Sequence, residues 1–274
     1  MRIFSSLLFC CLSLLMASAR ADVLVLVHGW AANAETWRHS GVMSQLQQYG
    51  WQDGGLVPMI TNGIGPGREN RNSFYRANLP AQAPMLVQAG HLHAQLSLIQ
   101  SRHADEKIII AAHSAGGVVA RLALVRADAV QIDKLITIAT PHLGSHRAVQ
   151  GLDVADAKPF FCPGPGVDLL KSVVGGDDYR YVRDSRAALI DLVPATYGSM
   201  LDWLNRQPHP QIEYHSIVKH APGYNGDGIV PAFSQDMNQV AVLNGRASVH
   251  MSHSSHALNP RDGQLLLMIL GNES

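Results

Sequence analysis

The sequence has 274 residues, 47% of them hydrophobic and 15% charged, with 21 basic side chains balancing 21 acidic ones. That length buries one sizeable core and suits a single α/β domain. Zero formal charge with no basic patch argues against nucleic-acid binding, no internal repeat or low-complexity tail is present, and the 14 histidines add positive charge as pH falls.

The first segment, "MRIFSSLLFCCLSLLMASARAD", has the pattern of a signal peptide. Arg2 gives a basic start, and Ile3 to Met16 form an apolar stretch too short to span a bilayer comfortably. Small residues then allow a cut after Ala19 or Ala21, so residues 1–21 are expected to leave an exported, periplasmic or secreted chain; a retained anchor is the competing reading. Cys10 and Cys11 would leave with the segment, and Cys162 alone makes no internal disulfide.

The remainder alternates strands and helices. "DVLVLVHG" reads as a strand buried on both faces, ending in a His-Gly turn. "ETWRHSGVMSQLQQYG" has helical spacing through Trp37, Met43, Leu46 and Tyr49, with Gly50 as its stop. "GGLVPMI" reads as a strand, "TNGIGPGRENRNSFY" as loop, and "APMLVQAGHLHAQLSLIQSR" as a long amphipathic helix. "EKIIIAA", "SAGGVVARLALVRA" and "IDKLITIAT" follow as strand, helix and strand. This rhythm predicts an α/β fold: a mostly parallel sheet with helices on both faces. Residues 145–209 are less regular and read as a lid-like insertion, with Phe160, Phe161, Leu169, Leu170, Val173 and Val174 available for an acyl pocket; a plain crossover helix with loops is the alternative. "IEYHSIVK" and "QVAVL" read as later strands, and "SVHMSHSSHALNPR" leads into the last helix.

Ser114 lies where a predicted strand meets a predicted helix. Such a tight turn strains its central residue and needs small neighbours two places away, here Ala112 and Gly116. It lifts a hydroxyl above the C-terminal edge of the sheet and beside a helix N-terminus. An ordinary serine N-cap is the plainer alternative, but the flanking strand and helix favour a nucleophile elbow. A serine needs a base to take its proton and a carboxylate to orient that base. In this arrangement they follow in the order acid, then histidine. Asp227 sits in "NGDG", a loop after a predicted strand, and His250, His253 and His256 come after it. Spacings of three also suit metal ligands, yet no carboxylate or cysteine accompanies these histidines, so neither a metal nor a cofactor is expected. His91 and His93 are two apart on a helix and face different directions.

Five pieces in order, "LVHGW", "AHSAGG", "TPHLGS", "GDGIVP" and "HSSHALNP", give residues 22–274 a resemblance to the α/β-hydrolase superfamily, specifically its secreted bacterial lipases and esterases. The elbow carries alanine where those proteins often have the first glycine. The resemblance implies Ser114 as nucleophile, Asp227 as acid and a C-terminal histidine as base. It implies an oxyanion hole from the backbone N–H groups of Trp30 and Ala115. His28 then matches a structural histidine, and His142 is expected to brace a loop beside the site. His253 opens a His-Ser-Ser stretch like that of the related lipases and is the expected base; His256 instead fits relatives with His-x-Leu. Pro260 is expected in the first turn of the last helix. The function implied is hydrolysis of a small-molecule or lipid ester with an apolar acyl chain, with transient contact to a lipid interface. Acyl transfer, phospholipid cleavage and non-catalytic binding on the same scaffold are the alternatives.

Overall fold

The computed structural model describes residues 21–57, 71–126, 130–156 and 179–271. β1 (Asp22–Val27) alternates valine with leucine or aspartate, and both faces are covered. Val23, Val25 and Val27 enter one core with Leu92, Val118 and Leu122; Leu24 and Leu26 enter another with Trp37, Met43, Leu46 and Leu266. Each such fully buried side chain contributes about 1.5–3 kcal/mol. A strand covered on both faces belongs at the centre of a sheet.

The sheet is parallel throughout and has seven strands. They are β1, β2 (Gln52–Val57), β3 (Ser73–Ala77), β4 (Lys107–His113), β5 (Lys134–Ile138), β6 (Glu213–Lys219) and β7 (Ala247–Ser252). Their order is β2-β3-β1-β4-β5-β6-β7. The chain starts at β1, steps out to β2, returns through β3, then crosses to β4 and moves outward the other way. β1 and β4 therefore flank a switch point, which opens a crevice at their C-terminal ends. Val27 pairs in register with Ala112, so the His28-Gly29 turn and the His113-Ser114 turn leave the sheet side by side.

The helices in chain order are α1 (Thr36–His39), α2 (Val42–Gln48), α3 (Met85–Arg102), α4 (Ala115–Arg126), α5 (His146–Asp156), α6 (Tyr179–Asp184), α7 (Arg186–Asp191), α8 (Met200–Arg206), α9 (Ala232–Gln235) and α10 (Pro260–Ile269). Three local expectations are corrected. The helix expected over 35–50 is two helices, broken at Gly41, whose φ of +82° favours glycine; a Cβ there would meet Pro260 at 3.4 Å. "SFY", expected as loop, opens β3, paired on both sides by β1 and β2. Arg76 in that strand is neutralised by Glu35 and by Asp53, and the Tyr75 hydroxyl bonds His103 Nε2 at 2.8 Å. "QVAVL", expected as a strand, forms parts of two 3₁₀ turns, the first capped by Asp236 accepting from the Asn238 N–H; Val240 and Leu243 still reach the core.

Between β5 and β6, α5 packs on α6 and α7, with Leu189 against Gly151. Phe160, Phe161, Leu169, Leu170, Val173 and Val174 lie outside the described residues, as do residues 1–20 of the expected 1–21 leader. Asn259 and Asp262 cap α10 reciprocally, with Pro260 in its first turn as expected.

Candidate active site

Ser114 sits between β4 and α4 with φ of +53°. Its N–H donates to the Ile138 carbonyl at 2.8 Å, and its carbonyl accepts from the Gly117 N–H at 3.0 Å. The turn is tight enough to exclude side chains around it. A Cβ on Gly116 would lie 2.3 Å from the His28 oxygen, and one on Gly29 would lie 2.9 Å from Ser114 Cβ. Gly29 and Gly116 thus let the two turns touch. Ala31 and Ala139, at the ends of β1 and β5, also hold positive φ. Among the described residues, all three non-glycine positions of this kind follow strands at the C-terminal edge of the sheet. Strain of this kind gathers at functional sites.

Asp227 lies in a turn between Gly226 and Gly228, whose φ values are +127° and +95°. Its Oδ1 accepts from the Ile229 and Val230 N–H groups at 2.8 and 2.7 Å. Its Oδ2 lies 2.7 Å from His256 Nδ1, and His256 Nε2 lies 3.1 Å from Ser114 Oγ. A carboxylate only accepts, so His256 Nδ1 carries the proton and Nε2 is left to accept from the serine hydroxyl.

The sequence pointed to His253 for this place, and the geometry corrects it. His253, three residues before His256 in the chain, is exposed, and its carbonyl accepts from Arg261 Nη1. The reason is reach. β7 is the edge strand, three strands from β4, a distance of roughly 14 Å at the usual strand spacing. The strand ends at Ser252, and the chain must run on to bring a ring above β4. His250 is still within β7 and bonds His215 at 3.1 Å.

Three side chains outside the sequence reading hold the His256 segment. His113 Nε2 donates to the His256 carbonyl at 3.0 Å. The His113 ring is wholly buried, and burial keeps it neutral by pushing it well below the usual histidine range. Lys219, at the end of β6, is fully buried with Asp262. Its Nζ donates to Asp262 Oδ2 and to the Ala257 carbonyl, both at 2.7 Å, and to the His256 carbonyl at 3.4 Å. Burial lowers the Lys219 ammonium and the Asp262 carboxylate opposes that. Sequence signals existed for both: a lysine closing an apolar strand, and an acid three residues after Asn259 at a helix start.

The three groups open into a cavity of about 500 Å³. Among the residues lining it, Trp30, Leu189, Leu192, Ile229 and Val230 are apolar and Arg147 is cationic. Ala115 is the first residue of α4, so its N–H has no acceptor within the helix. Trp30 lines the cavity and follows the Gly29 turn that touches Ser114. His28 ties this turn down: Nδ1 donates to the Gly29 carbonyl and Nε2 accepts from the Leu79 N–H, both at 2.9 Å. His142 is buried and does not line the cavity. It meets Arg121 at 3.3 Å and Thr137 at 3.2 Å, while its carbonyl accepts from Asn205. Arg121 also donates to His209 and Asn205; burial brings it down to about 9, so it stays charged at neutral pH. Among the described residues no group of three potential ligands is placed to hold a metal.

Parallel strands in this order, a serine elbow after β4, an acid after β6 and a histidine after β7 define the α/β-hydrolase fold. Residues 68–155, about a third of the chain, match the family model described as a PGAP1-like alpha/beta domain. In structure the chain resembles the mature form of a Bacillus licheniformis lipase, with a TM-score of 0.62 and 17% identity over 92% of each chain. It also resembles a Listeria innocua gene product of unstated activity, with a TM-score of 0.59 and 15% identity over 93% of this chain and 95% of that one. A metagenomic carboxyl esterase gives a TM-score of 0.55 and 14% identity over 93% of this chain and 76% of the other. No curated protein matches at the level of sequence.

Proposed function

We propose that this protein is a serine hydrolase that cleaves carboxylic esters with apolar acyl chains. The observation that carries the reading is the line of hydrogen bonds from Ser114 Oγ to His256 Nε2 and from His256 Nδ1 to Asp227 Oδ2. Ser114 Oγ attacks the ester carbonyl while its proton passes to His256 Nε2. Asp227, locked by two backbone N–H groups, stabilises the imidazolium. The new C–O bond leaves negative charge on the former carbonyl oxygen, which the Ala115 and Trp30 N–H groups receive. Loss of one such donor typically costs ~10²–10³ in turnover. Collapse expels the alcohol, which takes the proton from His256. Water, deprotonated by the same histidine, then releases the acid and frees Ser114.

The apolar walls support an acyl chain, and the resemblance to a lipase and a carboxyl esterase supports the bond type. Leu189 and Leu192, on and just after α7, line the cavity, and Tyr181 of α6 lies 5.9 Å from Trp30 ring to ring. In this reading α6 and α7 belong to a lid over the acyl site. Residues 1–21 direct export and are then removed, so that the enzyme meets small or lipidic esters outside the cytoplasm. Hydrolysis of an aryl ester chain-length series by wild type, and its loss in Ser114→Ala with an unchanged circular dichroism spectrum, tests the assignment. Full activity in a folded Ser114→Ala protein contradicts it.

A further inference from the structure

Arg147 is the one permanently cationic side chain lining the cavity among the described residues, and the three hydrogen-bonded groups do not use it. Its Nε donates to the Gly228 carbonyl at 3.3 Å and its Nη1 to Gln150 Oε1 at 2.7 Å. Both acceptors are neutral, so the guanidinium is oriented without being neutralised. Arg38, Arg76, Arg183, Arg186 and Arg206 each pair with a carboxylate. Among the described residues Arg147 has no such partner. The carboxylate on the neighbouring loop is Asp227, whose two oxygens are taken by Ile229, Val230 and His256. A guanidinium fixed at two of its nitrogens presents its remaining donors in a planar fork suited to a carboxylate or phosphate.

Building on the ester reading, we propose that Arg147 forms a subsite for an anionic group of the substrate, a carboxylate or phosphate. The ester then has an apolar portion for Leu189, Leu192 and Ile229 and a negative charge for Arg147. The competing role is a brace only, since Arg147 and Ser145 both tie the start of α5 to the Asp227 loop; Ser145 Oγ donates to the Ile229 carbonyl at 2.6 Å.

Two matched pairs of esters separate the roles and locate the charge. 1-Butyrylglycerol against 1-butyrylglycerol 3-phosphate places the charge on the alcohol. p-Nitrophenyl pentanoate against the mono-p-nitrophenyl ester of glutaric acid places it on the acyl chain. Calorimetric binding is measured in Ser114→Ala, where the esters persist, and in Ser114→Ala/Arg147→Gln. The anionic member of one pair should bind roughly tenfold tighter or more, the size expected of a charge-assisted contact, and Arg147→Gln should remove that ratio. Equal binding within both pairs overturns the proposal. So does a ratio that survives Arg147→Gln, or a loss that falls equally on both members of a pair. Hydrolysis of the same four esters by wild type is scored separately: cleavage of none contradicts the ester reading, while the binding ratio still decides the subsite.

Discussion

At Ser114 the backbone holds φ at +53°, which costs a residue with a Cβ about 1–3 kcal/mol. Ser114→Gly should therefore melt above Ser114→Ala, although both lack the hydroxyl; equal melting temperatures would mean the turn is unstrained. Gly116 has the opposite constraint, since a Cβ would strike the His28 oxygen at 2.3 Å. Gly116→Ala should cost about 1–3 kcal/mol on a urea melt and pull the His28-Gly29 turn away from the serine, with a matching fall in kcat. These residues are legible in the sequence because small-x-Ser-x-Gly between a strand and a helix is a local pattern with a local cause. The histidine is not. Spacing within "HSSHALNP" is shared by His253 and His256, and the distance from the edge strand back to β4 decides between them.

At the scale of elements, the end of β6 and the start of α10 are joined by the buried Lys219–Asp262 pair, which holds the His256 and Ala257 carbonyls. Lys219→Met leaves a buried carboxylate without its cation and should destabilise by about 3–5 kcal/mol. Lys219→Met/Asp262→Leu removes both charges and should recover most of that stability, as replaced buried pairs do. The double variant should still lose about tenfold or more in kcat with little change in KM, because the His256 segment has lost a fixed donor. A stable double variant with wild-type kcat would reduce the pair to a fold element. The helices α3, α4 and α10 and the strands β1, β4, β5 and β6 are readable from their apolar patterns, whereas α5 to α9 are not. β3 was not, because five residues next to a polar Gly- and Asn-rich stretch show no period and become a strand only by pairing on both sides. "QVAVL" failed in the other direction: its residues suit a strand, but the Asp236 cap starts a tight turn there.

For the whole molecule, buried histidines link stability to pH. Burial lowers His28, His113 and His142, the last two well below the usual range; His209 falls to about 4, through burial and then the Arg121 charge. The unfolded chain protonates each near 6.5 while the folded chain refuses the proton. Their stabilising contribution is complete above pH 6.5 and is lost as pH falls toward 4. Tm should drop by roughly 5–10 °C between pH 7.5 and pH 5. A flat profile would contradict the neutral, buried state of these rings. Export is tested by mass: protein recovered outside the cytoplasm should begin near Arg20 or Asp22, and a mass including Cys10 and Cys11 would show the leader is kept.

In the proposed mechanism His256 activates Ser114. The most direct measurement is the rate of fluorophosphonate labelling, with the labelled peptide located by mass spectrometry, for wild type, His253→Ala and His256→Ala at pH 8. Label is expected on Ser114, with a His253→Ala rate within about tenfold of wild type and a loss of ~10³-fold or more in His256→Ala. Label on another residue, or a His256→Ala protein that reacts at the wild-type rate, would contradict it.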